Sequence, residues 1–582
     1  LVATRAERPT AILWRRAVSS QEDCSDGGRN TCVIERAIQL VDGLGTEGVA
    51  DFRPIEGDPD RVALDGAVIG DVCEVEVGHP LPDRCIEQFR NHGWSSPRQA
   101  PILYVVMQQI ADWLMKAAER APDDPFLITP ARTWTVGEIE ELVCRSVGAL
   151  RASGIERGDV SAVWGENDVD TVVAMLAVPR TGALVLPLNT RLVAEEVEPL
   201  IARAGAVKVL ASQHAPKLDL DTAPIHGLQE AGIDLRCDVP PHDGYMVMFT
   251  SGTTGDPKCV RLGRANFEAS AAASAKHLGH TKEDRWLAVL PLFHVGGWSI
   301  IVRSARQGSA VVLEPRVESA RAGILMREGK VTLVSLVATM LERILDIEPG
   351  PYWGVRAVLL GGGPSTQELL DRAAAAHLPV LPTYGMTETA SQVATLPLAE
   401  GLEPSLDLPP LDTVQLRVTS AGGNRLRNEE LGHIEVRGPM VSAGYVSEPA
   451  HLPSHWLRTG DFGRIDQRGR LRVFGRTDDI IISGGENIHP VEVEGVLLAE
   501  EGVDEAVVVG MPDPEWGEIV VAAVVGESDL TERYLESHIR EHLAGYKVPR
   551  RWKFVAELPR NALGKVARRE VVAMFPGEQV KA

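Results

Sequence analysis

The sequence predicts an α/β protein: a large domain of layered sheets and helices, followed by a small mobile α+β lid. Three observations carry this. From residue 107 to about 475, short apolar runs of strand length alternate with amphipathic helical segments, the pattern of buried sheets covered by helices. Near residue 475 the polar stretch Phe474-Gly475-Arg476-Thr477-Asp478-Asp479 breaks the alternation. A unit of about 100 residues follows it, a common domain size. At 582 residues the chain is also too long for one core, so two to four domains are expected.

Composition narrows the function classes. A hydrophobic fraction of 44% and a charged fraction of 24% are ordinary for a globular protein. The net charge of −22 argues against nucleic acid or an anionic membrane as the main partner. Nucleotides remain open, because they bind through local loops. No apolar run approaches the roughly 18 residues of a spanning helix, and the N-terminus shows no basic head followed by an apolar core. The seven cysteines are dispersed and form no CxxC pair, which reads as reduced thiols in the cytoplasm. Cys24, Cys32, Cys73 and Cys85 have the wrong spacings for the usual zinc ligand pairs.

Residues 1–106 are an unassigned N-terminal extension. Runs such as SQEDCSDGGRNTC and FRPIEGDPDR are loop-like, and an extra domain, a disordered extension and a start set too far upstream all stay open. Met107 then opens a helix in which Ile110, Trp113, Leu114 and Ala117 recur at helical spacing, stopped by the following proline. Val160–Trp164, Ala183–Pro187, Val207–Ala211, Tyr245–Phe249, Ala310–Leu313 and Ala357–Leu360 read as strands, and Thr171–Arg180 as a helix. In the last unit, Pro490–Leu498 reads as a helix. Ala506–Gly510, Ile519–Val525 and Arg551–Val555 read as strands. Leu535, Ile539, His542 and Leu543 mark a helix face ended by Gly545.

One stretch asks for a ligand: Met248-Phe249-Thr250-Ser251-Gly252-Thr253-Thr254-Gly255-Asp256-Pro257-Lys258. A strand that runs into hydroxyls and glycines can wrap phosphate oxygens with backbone N–H groups. It is not a Walker loop, which needs Gly-Lys-Ser/Thr opening a helix. Taken alone, the segment fits a surface turn of small residues equally well. Further segments accompany it: Pro291-Leu-Phe-His294-Val-Gly-Gly297, Leu360-Gly361-Gly362-Gly363-Pro364, Thr383-Tyr384-Gly385-Met386-Thr387-Glu388-Thr389, Leu457-Arg458-Thr459-Gly460-Asp461, Gly475 to Asp479, Ser483-Gly484-Gly485-Glu486-Asn487-Ile488 and Asn561-Ala-Leu-Gly564-Lys565. Taken singly, Asp461 is a turn residue and Lys565 a solvated lysine.

In this order, these segments resemble the core motifs of the adenylate-forming superfamily of acyl- and aryl-CoA ligases, peptide-synthetase adenylation domains and luciferase. The resemblance covers about residues 107–575. It implies an ATP- and acyl-binding domain over 107–476 and a lid over 477–582. It implies ATP, Mg²⁺ and CoA as co-substrates and ion. Thr250, Ser251, Gly252, Thr253, Thr254, Gly255 and Lys258 would hold the ATP phosphates. Gly361, Gly362, Gly363, Pro364, Tyr384 and Gly385 would cradle adenine. Thr387 would touch the α-phosphate and Glu388 would hold Mg²⁺. Asp461 would accept from the ribose, with Arg476 beside it. Asp478 would be the hinge, Lys565 the adenylation lysine, and Ser483, Gly484 and Gly485 the lining of the pantetheine path. The chemistry agrees: a carboxylate attacking a phosphate brings two anions together, which needs a metal ion and a cation where charge develops, and a mobile lid can deliver the latter.

Finer resemblance points to 2-succinylbenzoate–CoA ligases of menaquinone synthesis, through Trp286–Ser304, Val331–Leu341, Leu359–Pro364 and Tyr384–Gln392. Their substrate carries two carboxylates. His294 is expected at the carboxylate being activated, or else is a packed core histidine. Ser299 and Arg303 are the candidates for the rest of the acid. Arg303 lies in an apolar helical run, where it either meets an anion in a pocket or snorkels to the surface. Two departures bear on pocket shape. Cys259 stands where the family has glycine, and the segment after Gln392 lacks the usual Gly-rich turn. The expected partners are a small carboxylic acid, ATP and CoA, without nucleic acid or membrane; an oligomer stays open. The alternatives are a ligase for another aryl or medium-chain acid, acyl transfer to a carrier protein, and an inactive nucleotide-binding protein.

Overall fold

The computed structural model describes residues 51–55, 58–65, 73–76, 112–228, 245–250, 257–315, 318–363, 365–398, 405–446, 448, 451, 455–484, 486–560 and 566–575. The chain divides into two compact units, residues 1–110 and 111–582. In the first, β1 (Asp51–Ile55), β2 (Asp58–Asp65) and β3 (Cys73–Glu76) form an antiparallel meander.

The second unit opens with α1 (Trp113–Arg120), whose described start lies six residues after Met107; Ile110 lies outside the described residues. Trp113, Leu114 and Ala117 are buried as their spacing predicts. Next come β4 (Pro125–Ile128), β5 (Thr133–Thr135), α2 (Val136–Ala152), β6 (Val160–Trp164), α3 (Val169–Thr181), β7 (Leu184–Pro187), α4 (Ala194–Ala204), β8 (Ala206–Ala211) and β9 (Thr222–Pro224). They are followed by β10 (Met246–Thr250), β11 (Lys258–Leu262), α5 (Arg264–Leu278), β12 (Arg285–Ala288), α6 (Val295–Gln307), β13 (Ala310–Leu313) and α7 (Ser319–Arg327). Then β14 (Leu333–Leu336), α8 (Ala338–Ile347), β15 (Ala357–Leu360), α9 (Gln367–Ala375), β16 (Val380–Met386) and β17 (Ser391–Thr395) complete two sheets. One has the order β11-β10-β7-β6-β8-β9 and the other β17-β16-β15-β14-β12-β13-β4-β5. Their inner strands pair in parallel and are buried on both faces, as continuous apolar runs require.

A four-stranded antiparallel sheet follows: β18 (Gln415–Thr419), β19 (Gly432–Arg437), β20 (Leu457–Ile465) and β21 (Leu471–Arg476). Phe474–Arg476 is therefore the end of a strand, and Thr477–Asp479 is a single 3-10 turn, where the polar composition predicts a flexible joint. The last unit contains β22 (Ile481–Ser483), β23 (Glu486–Ile488), α10 (Pro490–Leu498), β24 (Val503–Asp513), β25 (Gly517–Gly526), α11 (Glu532–His542), β26 (Arg551–Phe554) and α12 (Arg568–Ala573) around one sheet. Helix α11 stops at His542 because Leu543 turns extended, and Gly545 opens a separate 3-10 turn. Among the described residues no helix is long and apolar enough to cross a membrane.

A buried ion network ties the first helices together. Asp112 caps α1 by accepting from the Leu114 and Met115 amides at 3.1 and 3.2 Å. The same carboxylate receives Arg180 of α3 at 2.7 Å and Arg264 of α5 at 3.1 Å. Arg180, fully buried, also reaches Glu140 of α2 at 2.7 Å. Burial alone would raise the Asp112 pKa, but the two guanidinium charges override it and bring it from 3.8 to about 2.

Removing one member of a buried network strands the others, at a cost of about 3–5 kcal/mol. Asp112→Ala is expected to destabilise the unit by that amount in chemical denaturation. Because the folded pKa lies below the unfolded one, the Asp112 contribution is fully present above about pH 4 and is lost as pH falls toward 2, on the order of 2 kcal/mol. The variant should show a shallower acid transition over that interval. An unchanged acid transition would place the acid-labile carboxylate elsewhere.

Candidate active site

Thr250, Gly361 and Tyr384 lie at the carboxyl ends of β10, β15 and β16, the edge at which α/β folds bind ligands. Strands β10 and β11 pair antiparallel with Thr250 opposite Lys258. This closes the base of the loop that holds Ser251, Gly252, Thr253, Thr254 and Gly255, which lie outside the described residues. The Lys258 ammonium sits 5.2 Å from the centroid of the Tyr445 ring. Cys259, in place of glycine, turns into the core at 5% exposure, and its carbonyl accepts from the Val446 amide at 2.8 Å. Burial pushes its thiol up to about 11, so the substitution inserts packing and not a nucleophile.

Strand β15 runs out into Gly361, Gly362 and Gly363; Pro364 lies outside the described residues. A Cβ on Gly361 would lie 2.7 Å from the Thr383 methyl, so the backbone can approach β16 only because the side chain is absent. Tyr384 of β16 donates its hydroxyl to Asp461 Oδ2 at 2.5 Å. Asp461 is not the turn residue its flanking glycine suggests. It lies inside β20, directly across from Arg476 on β21, which donates to Oδ1 at 3.0 Å. Burial raises the Asp461 pKa, with Arg476 and Tyr384 opposing. Gly460, at φ +76°, leaves the room in which the Arg476 guanidinium rests.

The segment after β16 is strained. Thr387–Thr389 form a 3-10 turn, followed by Ala390 at φ 47° and Ser391 at φ 107°. Such conformations cost energy unless their surroundings impose them. Here Ser270 Oγ donates to the Ala390 carbonyl at 2.8 Å, and a Cβ on Gly385 would fall 1.9 Å from the Ser391 oxygen. The turn aims Glu388 one way and Ser391 the other. Glu388 Oε1 accepts from the Tyr445 hydroxyl at 3.1 Å, and Ser391 Oγ lies 3.0 Å from Arg303 Nη2. Neither Ser391 nor Tyr445 was singled out by motif. Ser391 lies within the quoted Tyr384–Gln392 run, whereas Tyr445 has no local signal.

His294 is the N-terminal flank of α6, with its ring edge-on to Phe293 at 4.5 Å. Gly297 is required there, since a Cβ would lie 2.1 Å from the Pro291 carbonyl. Ser299 and Arg303, four residues apart, share a face of α6. Ser299 is 2% exposed and Arg303 is 3% exposed, so Arg303 does not snorkel. Its guanidinium lies 5.4 Å from the centroid of the Trp286 ring. Burial drives its pKa down to about 9, with no carboxylate among the described residues to offset it. Ser299 Oγ and Arg303 Nε have no hydrogen-bond partner among the described residues. Nearby His280 is held neutral, pushed down to about 4 by burial.

In the last unit Ser483 ends β22, and Gly484, at φ 60°, packs against Trp516. Gly485 and Lys565 lie outside the described residues, as does the Asp478 side chain; the Asp478 backbone lies in the 3-10 turn. That turn is held by His433 and Thr477 at 3.2 Å and by Phe462 stacked on His489 at 4.6 Å. The residues following Gln392 replace the missing glycines by pairing: Leu408 bridges Leu471, and Pro410 bridges Ala394.

The geometry suits the ligands named by the resemblance. Glu388 supplies a hard oxygen donor of the kind Mg²⁺ takes, held by a neutral hydroxyl rather than an ion pair among the described residues. Residues 114–446 match the family model of the AMP-binding enzymes, and residues 492–565 match that of the AMP-binding enzyme C-terminal domain. The chain is 36% identical to the 2-succinylbenzoate–CoA ligase of Listeria monocytogenes serotype 4b over 79% of this chain and 99% of the relative. It is also 36% identical to that of Geobacillus sp. strain WCH70, over 81% and 98%. Among solved structures, it resembles the Bacillus subtilis o-succinylbenzoate CoA synthetase bound to its acyl-adenylate intermediate. The TM-score is 0.74 and the identity 33%, over 79% of this chain and 98% of that one. The same enzyme with ATP and magnesium matches at a TM-score of 0.73.

A buried cation without an anion burdens the fold, and replacing buried charge by apolar volume often stabilises by about 1–4 kcal/mol. Arg303→Met is therefore expected to raise the unfolding free energy of the unliganded protein. A loss of stability on the same scale would assign Arg303 to packing.

Proposed function

The chain belongs to the AMP-binding enzymes, and from that premise we propose that it is an ATP-dependent 2-succinylbenzoate–CoA ligase of menaquinone synthesis. The observation that carries the substrate is Arg303: buried on the helix that begins after His294, bonded to Ser391, and without a carboxylate partner among the described residues. An acid with a second carboxylate supplies the missing charge.

The reaction runs in two steps. A carboxylate oxygen of the acid attacks the α-phosphorus of ATP, and the bond to the bridging oxygen breaks, leaving acyl-AMP and pyrophosphate. The CoA sulfur, losing its proton, then attacks the acyl carbon, and AMP leaves. Thr250, Lys258 and the Ser251–Gly255 loop hold the phosphates. Gly361 to Pro364, Tyr384 and Gly385 hold adenine, and Asp461, fixed by Tyr384 and Arg476, takes the ribose hydroxyls. Thr387 meets the α-phosphate. Glu388 would hold Mg²⁺, which when bound would offset repulsion between the two anions. His294 lines the carboxylate being activated, and Ser299 and Arg303 meet the rest of the acid. Lys565 supplies the cation for the first step from the lid, residues 477–582, which turns about Asp478. The turned lid presents Ser483, Gly484 and Gly485 to the pantetheine arm. We place the reaction in the cytoplasm, where ATP, CoA and reduced thiols coexist.

The test is acid-dependent AMP release with ATP, Mg²⁺ and CoA. 2-Succinylbenzoate should exceed benzoate and medium-chain fatty acids in kcat/KM by at least about 100-fold, the scale of leaving one buried charge unpaired. Equal turnover of a monocarboxylic acid would discard the substrate and keep the ligase.

A further inference from the structure

Lys258 and Glu388 come from distant parts of the chain, one opening β11 and the other in the turn after β16. Tyr445 touches both. Its hydroxyl donates to Glu388 Oε1 at 3.1 Å. Its ring carries the Lys258 ammonium 5.2 Å from the centroid, inside the roughly 6 Å reach of a cation–π contact. The backbone around it is stitched on two sides. Val260 bridges Tyr445 in antiparallel fashion, the Arg261 amide donates to the Gly444 carbonyl at 3.0 Å, and the Val446 amide to Cys259 at 2.8 Å. On the other side the Ser442 amide donates to the Glu388 carbonyl at 2.7 Å. Residues 442–446 therefore lie along β11 and against the Glu388 turn at once.

Two consequences follow from this geometry. A hydroxyl donating to one carboxylate oxygen fixes the plane of the group and leaves its second oxygen for a cation, as partners behind metal ligands do. The ring also occupies the Lys258 ammonium. A lysine and a glutamate brought together at a nucleotide site attract each other, and a direct pair would take both away from the phosphates and the ion. Among the described residues Glu388 makes no such pair, and its side chain is met by the neutral Tyr445 hydroxyl.

We propose that Tyr445 is a positioning residue for the adenylation step: it sets the Glu388 carboxylate for the divalent cation and keeps Lys258 apart from it. This rests on the ligase reading above. Its signature is a change in magnesium dependence rather than in recognition of the acid.

Tyr445→Phe keeps the ring and removes the donor; Tyr445→Leu removes both. Three quantities are measured on the full chain: the Mg²⁺ concentration for half-maximal acid-dependent pyrophosphate release, the thermal shift produced by Mg²⁺ at saturating ATP without acid, and the KM for the acid. Tyr445→Phe should raise the half-saturating Mg²⁺ by about 10–100-fold and shrink the Mg²⁺-dependent thermal shift. The KM for the acid should stay within about twofold. Tyr445→Leu should in addition raise the KM for ATP. In the Glu388→Gln background, Tyr445→Phe should add nothing further. A Tyr445→Phe protein with wild-type magnesium dependence, or one whose only change is a lower melting midpoint, would overturn the inference while leaving the ligase reading intact. A wild-type chain that forms no pyrophosphate from any acid would overturn both.

Discussion

A guanidinium taken out of water without an anion beside it is among the least favourable groups a core can contain. Among the described residues Arg303 is such a group, 3% exposed on α6 and with burial as the cause of its lowered pKa. What the protein supplies instead is partial: the face of Trp286 and the hydroxyl of Ser391. Holding Ser391 in place requires Ala390 and Ser391 in left-handed backbone, and that turn in turn requires Gly385. The same turn aims Glu388 at Tyr445. One strained segment thus sets both the hydroxyl that meets Arg303 and the carboxylate that meets Tyr445.

The Asp112, Arg180, Glu140 and Arg264 network is also buried charge, but it is fully paired and links α1, α2, α3 and α5. A paired network stabilises one arrangement of helices. An unpaired cation destabilises the empty state and lowers the free energy of any ligand that neutralises it, which is binding energy stored in the unliganded protein.

The buried parallel strands were the most legible part of the sequence. Ala310–Leu313 and Ala357–Leu360 are strands at those bounds, and Pro490–Leu498 is a helix, because uninterrupted apolar runs and a proline at a helix start leave little choice. The antiparallel sheet was misread where its inward face is polar. β20 alternates Thr459, Asp461 and Gly463 inward, and a strand whose buried positions are an aspartate and a glycine looks like a loop. The partners that permit this, Tyr384 and Arg476, lie far away or across the sheet. Family motifs marked Glu388 and Lys258, but Tyr445, the residue between them, follows from tertiary packing alone.

The central claim is that Arg303 exists for a second carboxylate. The measurement that tests it most directly is the ratio of kcat/KM for 2-succinylbenzoate to that for an analogue lacking the distal carboxylate, in the wild type and in Arg303→Met. The account predicts that the ratio collapses in the variant by about 100-fold or more, while turnover of the analogue is retained. A ratio equal in both proteins would show that the second carboxylate is recognised elsewhere and that the buried cation has another cause.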